Sequence, residues 1–432
     1  MQDESGSDPG CSRALANIRR LLHDLLPVTK VAADSKVLRA LLLFGGALFG
    51  LTLVCYFASV SWTWPFPRDK VTLVVGRDFL NLWMYGRTAF DGDPARFYDL
   101  ATYNGELARL LGPLYPGQNW PNPPTALVVM APFGLLGYWP ALLVWFSVGA
   151  LAFTLAARPQ LACGRILAVV VVSPAALLCL ISGQSSFLTT AALLAIFASL
   201  DRRPIIAGVL IGLLTVKPQL GLLFPITLVA SARWRVFGVA AITAVALAAA
   251  SIALGGLESW HDFLTKALPL QREVLGDAAG TAAPFQPTVF MNVRGLLSNR
   301  LGETVQLAFA IAAAVAVATA FRHRAGRDPQ MLQALFFACS ASTSPYLGAY
   351  DLLPLTFAAV ALLAGGQLDA PGRRLAQLVF WTPALQLVFG NLQIPGPGFI
   401  APAFAAYLMV KMSASGAART MPIRLEQKAG AG

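Results

Sequence analysis

Apolar runs broken by short polar connectors make up most of the chain. The first run, about 38–61, is long enough to cross a bilayer and ends in Trp62-Thr63-Trp64-Pro65, an aromatic belt pair followed by a helix stop. A polar loop continues to about Pro124. From Thr125 the apolar runs are short and broken at Gly137-Tyr138, 158–165, Gly183-Gln184-Ser185-Ser186, 201–204, Lys217-Pro218-Gln219 and 233–235. After a span over about 236–254 comes a second long loop, 255–303, and then four or five further spans, with no repeat at a fixed period. The pattern predicts an all-α polytopic membrane protein of about twelve transmembrane helices. Its transmembrane domain covers 38–411, between tails at 1–37 and 412–432, and its two long loops, 62–124 and 255–303, carry short interfacial helices. Within the first tail, 14–26 suits either a surface helix or a disordered stretch, and the run after it fits an uncleaved anchor.

Composition narrows the class. With 56% hydrophobic and 12% charged residues in 432, the chain has too little polar surface to cover a water-soluble globule. Its net charge of +11 does not point to nucleic acid, because the basic residues sit in short clusters between apolar runs rather than on one face. They are topology signals. With the N-terminal tail in the cytoplasm, the Arg/Lys-rich breaks at 158–165, 201–203, 233–235, 322–327 and 373–374 and the C-terminal tail all fall inside. Asp78, Gly183-Gln184, Lys217-Pro218-Gln219, the second long loop, 344–351 and 391–398 then fall outside, provided that the short run 125–136 does not cross. This predicts a multi-pass protein of the inner (plasma) membrane whose residue-specific breaks share the periplasmic or exterior face. Cys11, Cys55, Cys163, Cys179 and Cys339 have no CxxC spacing and predict neither a disulfide framework nor a zinc site.

Chemistry concentrates in a few of these breaks. In the stretch 75–87, Asp78, Asn81 and Tyr85 recur at i, i+3 and i+7, next to Arg77, on a short helix suited to the membrane interface. Asp78 there is either an acid/base group facing a lipid-borne substrate or an N-cap. Lys217 interrupts an apolar stretch, where a charge is expensive without a partner. It suits a phosphate beside the helix-breaking Pro218, or else pairs with Asp351, Asp78 or Glu258, or snorkels to head groups. Asp351, in Tyr346-Leu347-Gly348-Ala349-Tyr350-Asp351-Leu352, is a second acid, an ion-pair partner or a cap. Gln184 sits at a hairpin tip, to bond a sugar or a neighbouring backbone. In the second loop Trp260, His261, Arg272, Glu273, Asn292 and Arg294 are candidates for acceptor recognition. No P-loop and no Gly-rich dinucleotide motif occurs, and Asp91-Gly92-Asp93 reads as a helix-ending turn. No cofactor and no metal held by the protein is expected, and the donor is not a nucleotide sugar.

Taken together these residues resemble glycosyltransferase family 87, bacterial membrane enzymes of the GT-C class that use polyprenyl-phosphate sugars. The resemblance runs from about Gly76 to Asp351. It rests on Asp78, Phe79, Tyr85, Gly86 and Ala89 in the first loop, Pro123-Pro124, Gly183-Gln184, Lys217-Pro218, Asn292, and Ser344, Pro345, Tyr350 and Asp351. Asn122 stands where the family commonly has Tyr. Tyr346 stands where it often has His, so a histidine role at the donor phosphate has no residue to carry it. The resemblance implies a GT-C fold and an outward-facing site. It makes Asp78 the general base that deprotonates an acceptor hydroxyl, Lys217 the cation at the donor phosphate, and a single inverting displacement the reaction. The substrate-binding residues would then be Lys217, Gln184, Arg77, Asn81, Tyr85, Asn292, Tyr346 and Asp351. The expected function is transfer of a hexose, mannose first, from a polyprenyl-phosphate sugar to a lipid or glycan acceptor. The competing reading is a transporter or flippase of lipid-linked sugars, for which an inverted repeat would be expected.

Overall fold

The computed structural model describes residues 35–161, 164–277, 283–294 and 296–420, and within these the side chains of 36–414 other than that of 283. Positions 1–34 of the expected tail, with its 14–26 segment, and Cys11 and Cys163 lie outside the described residues.

Among the described residues the structure is helical, with isolated bridges at Ser61–Arg68 and Arg68–Val74. Four helices are long and apolar enough to cross a membrane: Lys36–Ala58, Tyr138–Gln160, Trp234–Gly276 and Asn299–Arg322. The pair Gly164–Val171 and Pro174–Ser182, bent by 54°, makes a fifth if it is one broken span. Other apolar runs form shorter helices, at Ser186–Ser199, Pro204–Val216, Pro218–Ala230 and Ala349–Ala364, as does Thr125–Gly134, the run expected not to cross. Each falls short of the ~20 residues that a straight crossing requires. Four or five candidate crossings are thus shown, and a count of twelve is not.

The polar connectors sort into two ends. Arg233 pairs with Asp201 at 2.7 Å, which brings the start and finish of the 204–230 segment together and makes it a hairpin with Lys217 near its tip. Arg324 donates to the Ser231 carbonyl at 2.8 Å, Gln367 to Gln330 at 3.2 Å, and Lys411 lies 3.6 Å from Asp369. The basic breaks at 201–203, 233–235, 322–327 and 373–374 therefore gather at one end of the bundle. The helices Pro329–Thr343 and Leu353–Ala364 lead from that end to 344–351, roughly 20 Å away.

Two apolar cores hold these ends apart. The larger one is built around Leu353–Ala364, all of whose residues are buried. The second lies under the first long loop and is rich in aromatics: Phe79, Trp83, Tyr85, Phe97, Tyr103, Trp120, Tyr138 and Trp145. Tyr85 lies tilted by 36° against Trp120 with ring centroids 4.4 Å apart, and Trp83 meets Tyr138 edge-on at 5.4 Å. Such offset and edge contacts fix ring orientation as well as burying area. The helix Asp78–Asp91 crosses Thr125–Gly134 at Gly86, where a Cβ would come within 2.2 Å of the Met130 carbonyl oxygen. Only glycine admits that approach, and it locks the Asp78 helix onto the bundle.

Candidate active site

Asp78 opens the helix Asp78–Asp91 as its first residue, with Arg77 in the cap position and no capping bond from a side chain. Its carboxylate is turned instead toward a neighbouring hairpin, where Gln184 Nε2 donates to Asp78 Oδ2 at 2.8 Å. That juxtaposition depends on Gly183. It adopts a left-handed φ of +69°, and a Cβ on it would sit 2.3 Å from the Gly76 carbonyl oxygen. Trp145 Nε1 donates to the Gly183 carbonyl at 3.2 Å, and Tyr138 Oη to the Val75 carbonyl at 2.6 Å, so the aromatic core anchors both sides of the contact. From behind, the buried Asp69 pairs with Arg77 at 2.7 Å and accepts the backbone N–H groups of Val71 and Leu73.

Gln184 also links Asp78 to a cation. Lys217 Nζ donates to Gln184 Oε1 at 3.1 Å and to Asp351 Oδ1 at 2.8 Å, and Ser186 Oγ donates to the same Asp351 oxygen at 3.0 Å. Because an ammonium only donates, the amide oxygen of Gln184 must face Lys217 and its NH₂ must face Asp78. The result is a polar chain, Asp78, Gln184, Lys217, Asp351 and Ser186, in which the Lys217 and Asp351 side chains are only 11% and 2% exposed. The partner that the local sequence lacks is thus Asp351, one of the three ion-pair partners considered for Lys217. The ring of Tyr350 covers the ammonium, its centroid 5.2 Å from Nζ. Lys217 keeps one of its three N–H donors for a further ligand.

Burial raises the Asp78 pKa above the usual carboxylate range. The Gln184 hydrogen bond opposes this, followed by the charges of Arg77 and Lys217, while Asp351 adds to it. An acid so placed is a stronger base when ionised, and it becomes neutral at a higher pH than a free aspartate.

These groups line a cavity of about 300 Å³. One pole is ionic, with Asp78, Gln184, Lys217, Tyr346, Tyr350 and Asp351. The other is a neutral wall of Asn81, Gln118, Asn119, Trp120 and Asn122. Asn119 donates to Gln271 at 3.2 Å, and Asn81 accepts from the Tyr103 hydroxyl. Gln118 Oε1 is buried with no hydrogen-bond partner among the described residues.

Of the candidates named from the sequence, Asp78, Asn81, Gln184, Lys217, Tyr346 and Asp351 line this cavity; Arg77, Tyr85 and Asn292 do not. Arg77 is held by Asp69, and Tyr85 lies in the aromatic core, bonded to Tyr98 at 3.0 Å. Asn292 accepts from Gly396 N at 2.9 Å and donates to Gln386 at 3.2 Å. The sequence reading missed Gln118, Asn119, Trp120 and Ser186 as wall or network residues. The signal available for the first three was a polar amide cluster ahead of Pro121, Pro123 and Pro124. Among the described residues no group of three or more His, Cys, Asp or Glu could hold a metal ion.

Against known proteins, the model of glycosyltransferase family 87 matches residues 120–347, more than half of the chain. The matched stretch contains Gln184, Lys217, Asn292 and Tyr346 and stops short of Asp78 and Asp351 on either side. No curated protein and no solved structure matches.

Proposed function

We propose, from the premise that the chain belongs to glycosyltransferase family 87 and is a multi-pass membrane glycosyltransferase, that it moves a hexose from a polyprenyl-phosphate sugar to a lipid or glycan acceptor. Mannose is the first sugar to test. The observation that carries this reading is the single carboxamide of Gln184, bonded to Asp78 on one side and Lys217 on the other, inside one cavity. A buried carboxylate and a buried ammonium one side chain apart are what an inverting transfer from a phosphate leaving group needs.

In this mechanism Asp78 Oδ2 stays on Gln184 while Oδ1 accepts the proton of the acceptor hydroxyl. The hydroxyl oxygen forms its bond to the anomeric carbon as the bond from that carbon to the phosphate oxygen breaks, and the electron pair leaves with the phosphate. The free N–H of Lys217 bonds the developing phosphate charge, with Asp351 and Gln184 fixing the ammonium in place. Such preorganised electrostatic stabilisation acts most strongly where water is excluded. The neutral amide wall of Asn81, Gln118, Asn119 and Asn122 suits the acceptor side, since it offers donors and acceptors without charge.

Our reading of the architecture is a GT-C-type fold whose broken and shorter helices complete about twelve crossings, with a membrane domain over 38–411 between cytoplasmic tails. The gathering of basic connectors at the end opposite the cavity supports a cytoplasmic basic end and a cavity facing the periplasm or exterior of the inner membrane. The test is transfer of radiolabelled sugar from a panel of polyprenyl-phosphate donors to membrane lipid and glycan, with wild type, Asp78→Asn and Lys217→Ala side by side. Wild-type transfer abolished by Asp78→Asn is expected. Transfer from a nucleotide sugar, or full turnover by Asp78→Asn, would overturn the mechanism.

A further inference from the structure

Arg87 lies nine residues beyond Asp78 on the same helix. At 100° per residue this is half a turn around, on the face turned away from the cavity. That face lines a separate hollow of about 270 Å³ with Trp83, Arg87, Asp91, Arg96, Glu106 and Arg109. Two of the arginines are already paired, Arg96 with Asp91 at 3.1 Å and Arg109 with Glu106 at 2.6 Å. Arg87 has no carboxylate within ion-pair distance among the described residues, and its guanidinium lies 4.9 Å from the centroid of the Trp83 ring. Nε of Arg96 is buried without a hydrogen-bond partner among the described residues. The hollow therefore carries one net positive charge and two sets of guanidinium N–H groups not engaged by carboxylate.

Its height is set by Trp83, whose Nε1 donates at 2.9 Å to the carbonyl of Leu136, two residues before the candidate span that begins at Tyr138. Beside it Phe90 and Leu135 are 57% and 69% exposed. A cationic hollow flanked by bare apolar side chains, level with the start of a span, sits where a bilayer presents its phosphates. Planar guanidinium groups match phosphate oxygens in pairs, and stacking on an indole keeps Arg87 preorganised.

We infer that this hollow binds the phosphodiester headgroup of an anionic membrane lipid, with Arg87 and Arg96 on the phosphate and Phe90 and Leu135 against the acyl chains. Asp91 and Glu106 stay engaged by Arg96 and Arg109, so a single negative charge neutralises the site. A lipid held there braces, from behind, the helix that carries Asp78. The inference does not depend on which sugar is moved or on the role of Asp78.

The test is native mass spectrometry of the full-length protein released from nanodiscs of phosphatidylcholine mixed with phosphatidylglycerol. Wild type is expected to retain phosphatidylglycerol in preference to phosphatidylcholine. Arg87→Gln should weaken that preference by about tenfold, the size of one lost charge-assisted contact, while Arg87→Lys, which keeps the charge, restores part of it. Glycerol phosphate added in solution should not displace the lipid; displacement would assign the site to a soluble phosphate ester instead. Equal retention of the two lipids by wild type, or an undiminished preference in an Arg87→Gln protein with an unchanged thermal midpoint, would overturn the inference.

Discussion

The two long loops begin from comparable sequence, each mixing aromatics, amides and charges, yet the structure uses them differently. The first folds onto an aromatic core and delivers Asp78, Asn81 and the 118–122 wall to the cavity. The second pairs charges of its own with one another: Lys266 with Asp262 at 2.8 Å, and Arg272 with Glu303 at 2.9 Å. Asn292 is occupied by Gln386 and the Gly396 backbone, and Arg294 donates to the Leu275 carbonyl. Its one described bond to the cavity wall is through Gln271, behind Asn119. Polar residue types alone do not make a site. Both loops have close-packed glycine anchors, Gly398 against Thr288 in the second; what separates them is that Gly86 against Met130 and Gly183 against Gly76 hold a carboxylate where a second element supplies its partner.

The contrast can be broken most sharply at Asp78. Asp78→Asn keeps shape but removes the base proposed above, and transfer should fall by about 10²- to 10⁴-fold with expression unchanged; a wild-type rate in steady-state transfer would end the assignment. Next comes Gly183→Ala, where a methyl would press on the Gly76 carbonyl in a backbone conformation that disfavours side chains. A displacement of the Gln184–Asp78 contact by about 1 Å should cost on the order of 10²-fold in kcat, and wild-type kinetics would show that the hairpin does not position the base. Lys217→Ala should raise the apparent KM for the proposed polyprenyl-phosphate donor and leave Asp351 buried without its cation. An unchanged donor dependence would reassign Lys217 to a structural pairing. The smallest expected effect on activity is in the second loop: Asn292→Ala should leave turnover within about twofold of wild type while lowering stability by about 1–3 kcal/mol, the cost of an unsatisfied buried group. A large loss of kcat without a loss of thermal stability would move Asn292 back toward the substrate.

Much of the site was legible because polar residues are conspicuous inside apolar runs. Lys217, Gln184 and Asp351 each interrupt or bound such a run, and Gln184 joins Asp78 to Lys217, which in turn holds Asp351. Side-chain direction was less legible. Tyr85 shares a helix face with Asp78 in projection, but seven residues of rise carry it about 10 Å along the axis, into the aromatic core. Arg77 precedes Asp78 yet points back to Asp69. The rest of the amide wall beyond Asn81 was not read as part of a site because Gln118 and Asn119 are ordinary loop residues until the fold sets them opposite the ionic pole. In the fold, periodic apolar runs identified the helices. They showed that the runs from Thr125 on are short but not how these return on themselves, because hairpin closures such as that of Asp201 with Arg233 are made by contacts distant in sequence.

The most direct test of Asp78 as the base is the pH dependence of single-turnover transfer in wild type and in Gln184→Leu. The carboxyl must be ionised to accept a proton, so activity is present above its pKa and lost as pH falls through it. Burial raises that pKa and the Gln184 hydrogen bond holds it down. The account predicts an acid limb above the range of an ordinary carboxylate, moved to still higher pH by Gln184→Leu. An acid limb that stays in place when Gln184 is replaced, or that persists at full rate in Asp78→Asn, would contradict it.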